Sequence, residues 1–173
     1  MQLSAFNAAP DAEAARTVAA FAAVPDWVDA VVAGRPYDSV DELAQRAALL
    51  SQEWDADDLA AALAHHPRIG ERPAGAGAEA DHSRTEQAAM SAASDDLSEA
   101  MATANAAYEA RFGRVFLIRA AGRSAEEMLA EARRRVGNDA VTETDEALTQ
   151  LREIALLRLR ATLVDDDDDE ERT

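Results

Sequence analysis

Apolar residues recur along most of the chain at the spacing of an α-helix. Leu43, Ala47 and Leu50 follow one another at intervals of three or four residues, which places their side chains on one helix face. Apolar residues at a similar spacing extend from Leu148 to Leu159. The pattern predicts an all-α fold, a single compact multi-helix domain of about seven or eight helices.

Residues that typically begin or end helices occur where this pattern changes. Pro25 suits a first helical position and Gly34 a helix end. Ser39 and Ser124 each begin a Ser-x-x-Glu sequence, which is a capping box. We therefore expect helices from Pro10 to before Pro25, from Pro25 to Gly34, from Ser39 onwards, from Asp55 or Asp57 to near His65, from Ser83 to about Phe112 as the longest, from Ser124 to Val136, and from about Asp139 to Leu163.

Two stretches do not fit this pattern. Val115–Ile118 is a short apolar run, and periodicity cannot separate an extended strand from a buried turn there. Asp165–Glu171 is entirely acidic, which is typical of a solvated segment. We expect a helical domain over residues 1–164, followed by an acidic, disordered tail at 165–173.

Composition excludes several classes of function. The net charge of −17 disfavours binding to nucleic acid or to an anionic membrane. The chain contains no cysteine, so disulfides, thiolate chemistry and cysteine-ligated zinc are excluded. No apolar run reaches the length of a membrane span, and the N-terminus does not resemble a signal peptide. We expect a cytoplasmic protein.

The stretch from Leu63 to Gln87 contains all three histidines. His66 precedes Pro67, and a residue before proline is pushed out of the helical region. His66 could therefore leave a helix end and act as a general acid or base near neutral pH. It could equally be a helix C-terminal histidine stabilised by the helix dipole, or a hydrogen-bonded core residue.

Ser83 and Glu86 also allow two interpretations. Their spacing is that of a capping box, in which each would satisfy the start of a helix. The same geometry leaves backbone N–H groups that can bind an anion or a polarised oxygen, with Glu86 and Gln87 pointing into a pocket. A metal site built from His65, His66 and His82 is disfavoured, because known ligand spacings are absent.

Arg158 lies on the last predicted helix, four residues after Ile154, so it can share the inward face. A buried arginine needs an anionic partner, either a carboxylate of the protein or a ligand. A snorkelling arginine would instead reach solvent.

The order of motifs resembles that of the 2-oxo-4-hydroxy-4-carboxy-5-ureidoimidazoline (OHCU) decarboxylase family of urate degradation. The similarity extends from about Phe6 to Leu163 and therefore covers the whole predicted domain. The matching motifs are Arg35-Pro36-Tyr37, Leu63–Gly70 with its His-Pro, Ser83-Arg-Thr-Glu86-Gln87, Asn105–Gly113 with its Arg-Phe-Gly, Phe116-Leu-Ile, and Leu157-Arg158-Leu159.

The resemblance implies an all-helical enzyme, commonly a homodimer, that needs no cofactor and no metal. It implies that His66 is the catalytic histidine, and our hypothesis is that His66 is the proton donor and that Glu86 orients the substrate hydroxyl. Arg119 stands where relatives often carry small or apolar residues, a change that a contact through the backbone would tolerate. The implied substrate contacts are Pro67, Ser83, Arg84, Thr85, Glu86, Gln87, Phe116, Leu117, Ile118, Arg119, Ala120 and Arg158.

The implied reaction is decarboxylation of OHCU to (S)-allantoin. Two other functions compete with it: a non-catalytic helical binding or scaffold protein, and another small-molecule lyase that uses the same pocket. A scaffold would have no need of His66, Glu86 and Gln87 together. Against the other lyase the sequence offers only family analogy.

Overall fold

A computed structural model describes residues 1–64, 68–69 and 93–166 of the chain. Within these ranges the protein is all-α, as predicted, and has no strand beyond an isolated bridge between Gln2 and Val164. None of the helices in these ranges combines the length and the apolar character that a membrane crossing requires. The helices are α1 (Leu3–Ala8), α2 (Asp11–Ala19), α3 (Pro25–Ala33), α4 (Val40–Leu50), a 3-10 helix (Ser51–Glu53), α5 (Ala56–Leu63), α6 (Asp95–Phe112), α7 (Ala125–Arg135) and α8 (Ala140–Thr162).

The chain divides into two compact units. The first unit comprises Met1–Asp58 and the chain from Arg152 onwards, and the second comprises Leu59–Leu151. One boundary therefore falls within α5 and the other within α8. The predicted limits of the domain and of its tail stay predictions.

In the first unit, α3 packs against both α2 and α4. Its core includes Trp27, which is 3% exposed. The Trp27 indole N–H donates to the carbonyl of Ala47 at 2.9 Å, and its ring meets Trp54 edge-on with centroids 5.3 Å apart. Two of the few aromatic residues thus join α3 to the segment that follows α4.

The start of the predicted acidic tail is hydrogen-bonded within the first unit. Asp165 Oδ1 accepts from the Val40 N–H at 2.7 Å, and Asp166 Oδ1 accepts from the Ser4 hydroxyl at 2.6 Å. Residues 167–173 lie outside the described residues.

The predicted limits of α3 are confirmed, but Gly34 is required for an unexpected reason. Helix α3 begins at Pro25, and Gly34 is its C-cap with φ −77°, a value open to any residue. A Cβ at Gly34 would collide with the hydroxyl of Tyr37. That hydroxyl donates to the Val31 carbonyl at 2.7 Å, so glycine makes room for a buried hydrogen bond.

The prediction of one continuous helix from Ser83 to Phe112 is wrong at residues 93 and 94. Helix α6 begins at Asp95, because Ser94 is extended and its hydroxyl accepts from the Leu97 N–H at 3.3 Å. Serine favours such a cap over a helix interior. With 18 residues α6 is also shorter than α8, which has 23. The Ser83 capping box lies outside the described residues.

In the second unit, α6 packs against α7. Met101 and Tyr108 of α6 and Met128 of α7 belong to one buried cluster, which also contains Phe116 from the connection between the two helices. The predicted capping box at the start of α7 is present in full, with Ser124 as its N-cap.

Replacing the Ser124 hydroxyl tests how much this box stabilises the protein. Ser124→Ala removes the acceptor of the Glu127 N–H, and loss of such a cap costs about 1 kcal/mol. Urea unfolding should show that decrease in the free energy of unfolding. Ser98→Ala, at an exposed position inside α6, is the control and should not lower the free energy of unfolding. An unchanged free energy of unfolding in the Ser124→Ala protein would contradict the prediction.

Candidate active site

The peptide from Phe116 to Ala120, which we call the Phe116 segment, lies between α6 and α7 in the second unit. It forms neither helix, strand nor turn. Phe116, Leu117, Ile118 and Ala120 are each at most 5% exposed, so both their side chains and their backbone are buried.

Two side chains hold the backbone of the Phe116 segment. The Leu117 carbonyl accepts from Nη1 of Arg135 at 2.8 Å, and the Arg119 N–H donates to Oε1 of Gln150 at 3.0 Å. Between them, the N–H and C=O of Ile118 make no hydrogen bond to any residue in the described part of the chain. Buried backbone groups are normally paired, so these two groups are candidates for contacting a ligand.

Arg135 forms a buried ion pair with Glu143. Arg135 is 1% exposed and Glu143 is fully buried, and Nη2 lies 2.5 Å from Oε1. The carboxylate also accepts from the Tyr108 hydroxyl at 2.5 Å and from Nδ2 of Asn138 at 2.9 Å. A buried charge is tolerable when it is paired and hydrogen-bonded in this way.

Burial, together with the hydrogen bond to Glu143, raises the pKa of the Tyr108 hydroxyl to about 12. The hydroxyl therefore stays protonated at neutral pH and can only donate to the carboxylate.

The residues that follow Pro67 are held by α6. The Ile69 carbonyl accepts from Nδ2 of Asn105 at 2.9 Å. Arg68 forms an ion pair with Glu109, in which Nη2 donates to Oε2 at 2.9 Å. This bond to Arg68 lowers the pKa of the Glu109 carboxyl. Residues 68 and 69, which follow the predicted catalytic His66 and Pro67 in the sequence, are thus bonded to two side chains of α6.

Arg158 belongs to the first unit and is 5% exposed. Its Nη1 donates to the carbonyls of Ala20 at 3.3 Å and Phe21 at 3.5 Å. A buried position agrees with the inward-facing interpretation and disagrees with a snorkelling side chain.

The structure describes about half of the predicted site residues. The Phe116 segment forms a continuous stretch of the second unit, and Arg158 lies in the first unit. Among the described residues no group of three histidine, cysteine or acidic side chains could hold a metal ion. The predicted residues outside the described ranges are His66, Pro67, Ser83, Arg84, Thr85, Glu86 and Gln87, together with His65 and His82 of the disfavoured metal site.

Sequence reasoning did not find the residues that hold this site. Asn105 lies within a motif of the family resemblance but carried no assigned role. Arg135 is the last of three consecutive arginines, which read as ordinary basic residues at a helix end. Glu143 and Gln150 lie seven residues apart on α8, a spacing that places both on one helix face.

These features define an all-α protein whose candidate ligand-binding element is a buried, irregular peptide segment. The model of the OHCU decarboxylase family matches residues 7–160, which is most of the chain. The chain therefore belongs to the OHCU decarboxylase family, a family of carboxy-lyases.

Two solved structures share the fold. One is described as the crystal structure of OHCU decarboxylase in the presence of (S)-allantoin; it has a TM-score of 0.70 and 23% identity, over 82% of this chain and 92% of that one. The other is the crystal structure of (S)-allantoin synthase, with a TM-score of 0.67 and 18% identity over 94% of this chain. This chain spans only 54% of the synthase chain. Comparison with curated protein sequences gives no match.

The raised pKa of Tyr108 predicts the behaviour of the protein in alkali. Burial also raises the pKa of Tyr37, so neither of the two tyrosines should ionise near pH 10 while the protein is folded. A folded-state pKa above the unfolded value means that stability is lost as the pH rises from about 10 towards about 12.

An absorbance titration that follows the formation of tyrosinate measures the pKa values of the two tyrosines directly. The folded protein should show its absorbance rise above pH 10, whereas the protein in denaturant should titrate near the ordinary value. Tyr108→Phe should remove the highest-pH part of the transition. A full two-tyrosine rise near pH 10 in the folded protein would contradict the buried Tyr108–Glu143 contact.

Proposed function

We propose that this protein catalyses the decarboxylation of OHCU to (S)-allantoin and CO2 without a cofactor. The observation that carries the proposal is the match of the family model over residues 7–160. The all-α fold, shared with a solved OHCU decarboxylase, supports it. The substrate is a small molecule, and the protein acts in urate degradation.

The chemistry requires proton transfer and orientation but no external electron sink. The substrate carries a hydroxyl and a carboxylate on one ring carbon, next to a C=N carbon that bears the ureido group. When the bond to the carboxylate breaks, its electron pair moves towards that C=N, CO2 leaves, and the nitrogen of the C=N takes up a proton. The hydroxyl then loses its proton as its carbon becomes a carbonyl, while the neighbouring carbon takes a second proton on one face to give the S product.

We assign the proton transfers to the residues that the resemblance singles out. His66 is the proton donor, since a histidine titrates near neutral pH. Glu86 accepts from the substrate hydroxyl and orients it, and Gln87 binds the ureido or ring amide groups. Ser83, Arg84, Thr85 and Pro67 complete this part of the site.

The backbone of the Phe116 segment supplies further contacts to the ureido and ring amides. The free N–H and C=O of Ile118 support this role, because an amide offers a complementary acceptor and donor. Arg158 is a further substrate contact of the proposal. A tight pair between an arginine and the departing carboxylate would stabilise the ground state and oppose the reaction, so we do not assign that role to Arg158.

Two further features of the proposal concern assembly and location. We propose that the protein is a homodimer and that it acts in the cytoplasm. Its net charge of −17 supports a small-molecule substrate over nucleic acid or an anionic membrane as the partner.

His66→Asn tests the reaction together with its proposed acid. The substrate is generated from urate by urate oxidase and hydroxyisourate hydrolase, and its decay is followed with and without the protein. The wild type should accelerate the decay well beyond the spontaneous rate. His66→Asn should lower the catalysed rate more than about a hundredfold, which is typical of losing an acid–base group.

The neighbouring histidine provides a matched control. His65→Asn makes the same chemical change one residue away and should retain most of the activity, while both variants should unfold at similar temperatures. Near-normal activity in folded His66→Asn protein would refute the assignment of His66. A wild type that leaves the spontaneous rate unchanged would refute the function itself and favour a binding protein or another lyase.

A further inference from the structure

The free backbone groups of Ile118 have directions that are fixed by their neighbours. A peptide unit is planar and trans, so its C=O and N–H point in opposite directions. The Leu117 carbonyl and the Ile118 N–H belong to one such unit, and the Ile118 carbonyl and the Arg119 N–H belong to the next. A hydrogen bond that fixes the C=O or the N–H of a peptide unit therefore also fixes the direction of the other group.

In each of these two peptide units, the group that does not belong to Ile118 is hydrogen-bonded to a side chain. Arg135 Nη1 binds the Leu117 carbonyl at 2.8 Å, which directs the Ile118 N–H away from Arg135. Gln150 Oε1 accepts from the Arg119 N–H at 3.0 Å, which directs the Ile118 carbonyl away from Gln150. Neither group of Ile118 is used elsewhere in the described part of the chain.

The position of the Arg135 guanidinium is fixed on several sides. Its Nε donates to both oxygens of Glu143, at 3.0 Å and 3.2 Å. The Cζ atom of Arg135 lies 4.9 Å from the centre of the Phe116 ring and 5.9 Å from the centre of the Tyr108 ring, within the range of cation–π attraction.

We propose that Arg135 and Gln150 are positioning residues, which aim the N–H and C=O of Ile118 at an amide or ureido group of the substrate. Glu143 acts indirectly, because its ion pair with Arg135 fixes the position of the guanidinium. The inference rests on the proposed function, because it takes the Phe116 segment as a substrate-binding element. It adds residues that carry no role in the family resemblance.

Gln150 offers the sharper test, because it is only half-buried and its loss should leave the fold intact. Gln150→Leu removes the acceptor of the Arg119 N–H, whereas Gln150→Glu keeps an acceptor oxygen at the same place. We expect Gln150→Leu to raise KM about tenfold with a much smaller change in kcat, since a binding contact is weakened equally in ground and transition states. Gln150→Glu should stay close to the wild-type KM at an ionic strength that screens its charge.

A second pair of variants examines Arg135. Arg135→Lys cannot bind Glu143 and the Leu117 carbonyl together in the geometry of a guanidinium, so its KM should also rise. Arg35 is a matched control in the first unit, since its Nη1 also binds backbone carbonyls, those of Phe6 and Ala9, and it pairs with Asp11. Arg35→Lys should lower thermal stability and leave KM unchanged.

The affinity for (S)-allantoin, measured by calorimetry, provides a readout that does not require turnover. The product should bind Gln150→Leu about tenfold more weakly than it binds wild type, in line with the loss of one hydrogen bond. A KM and a product affinity within about twofold of wild type in folded Gln150→Leu protein, well short of that loss, would overturn the inference. An inactive wild type would instead refute the proposed function, so the two failures are distinguishable.

Discussion

The buried ion pair between Arg135 and Glu143 is the interaction on which the second unit depends. It joins the end of α7 to the first turn of α8, and through Tyr108 it also reaches α6. Such a pair is costly to desolvate and adds little net stability compared with an apolar core. Removing one partner, however, leaves an unpaired buried charge and typically costs about 3–5 kcal/mol. The pair therefore acts chiefly as a constraint on how these helices fit together.

This constraint explains how an irregular peptide can lie inside a helical protein. A segment without helix or strand must still satisfy its buried backbone groups. Arg135 and Gln150 satisfy two of them, and the N–H and C=O of Ile118 have no partner in the part of the chain that the structure describes. If the segment binds substrate as proposed, its binding groups are organised before the ligand arrives, so little conformational entropy is lost on binding. In the proposed site, helices provide the frame and a short stretch of backbone provides the recognition.

Much of the fold could be predicted from local signals. Pro25, Gly34 and the capping box at Ser124 mark helix limits that depend on a few neighbouring residues. The start of α6 at Ser94 could not be predicted with the same certainty, because a serine within a helical pattern is compatible with either a cap or a helix interior. Helix α1 was missed because its six residues are too few to show a periodic pattern.

The candidate site was less accessible to sequence reasoning. The Phe116 segment was found through its resemblance to a family, and the geometry that gives it a role depends on partners far along the chain. The second of three consecutive arginines, Arg134, pairs with Glu131 and Glu146 near the surface, whereas Arg135 is buried. Composition does not distinguish these neighbours; only the rotation of the helix does.

The optical activity of the allantoin formed tests the central claim most directly. Urate is treated with urate oxidase and hydroxyisourate hydrolase, with and without this protein, and circular dichroism records the product. The account predicts fast appearance of optically active (S)-allantoin, because the enzyme delivers the proton to one face of the substrate. Slow formation of racemic allantoin at the spontaneous rate would contradict it and would mean that this fold serves another purpose.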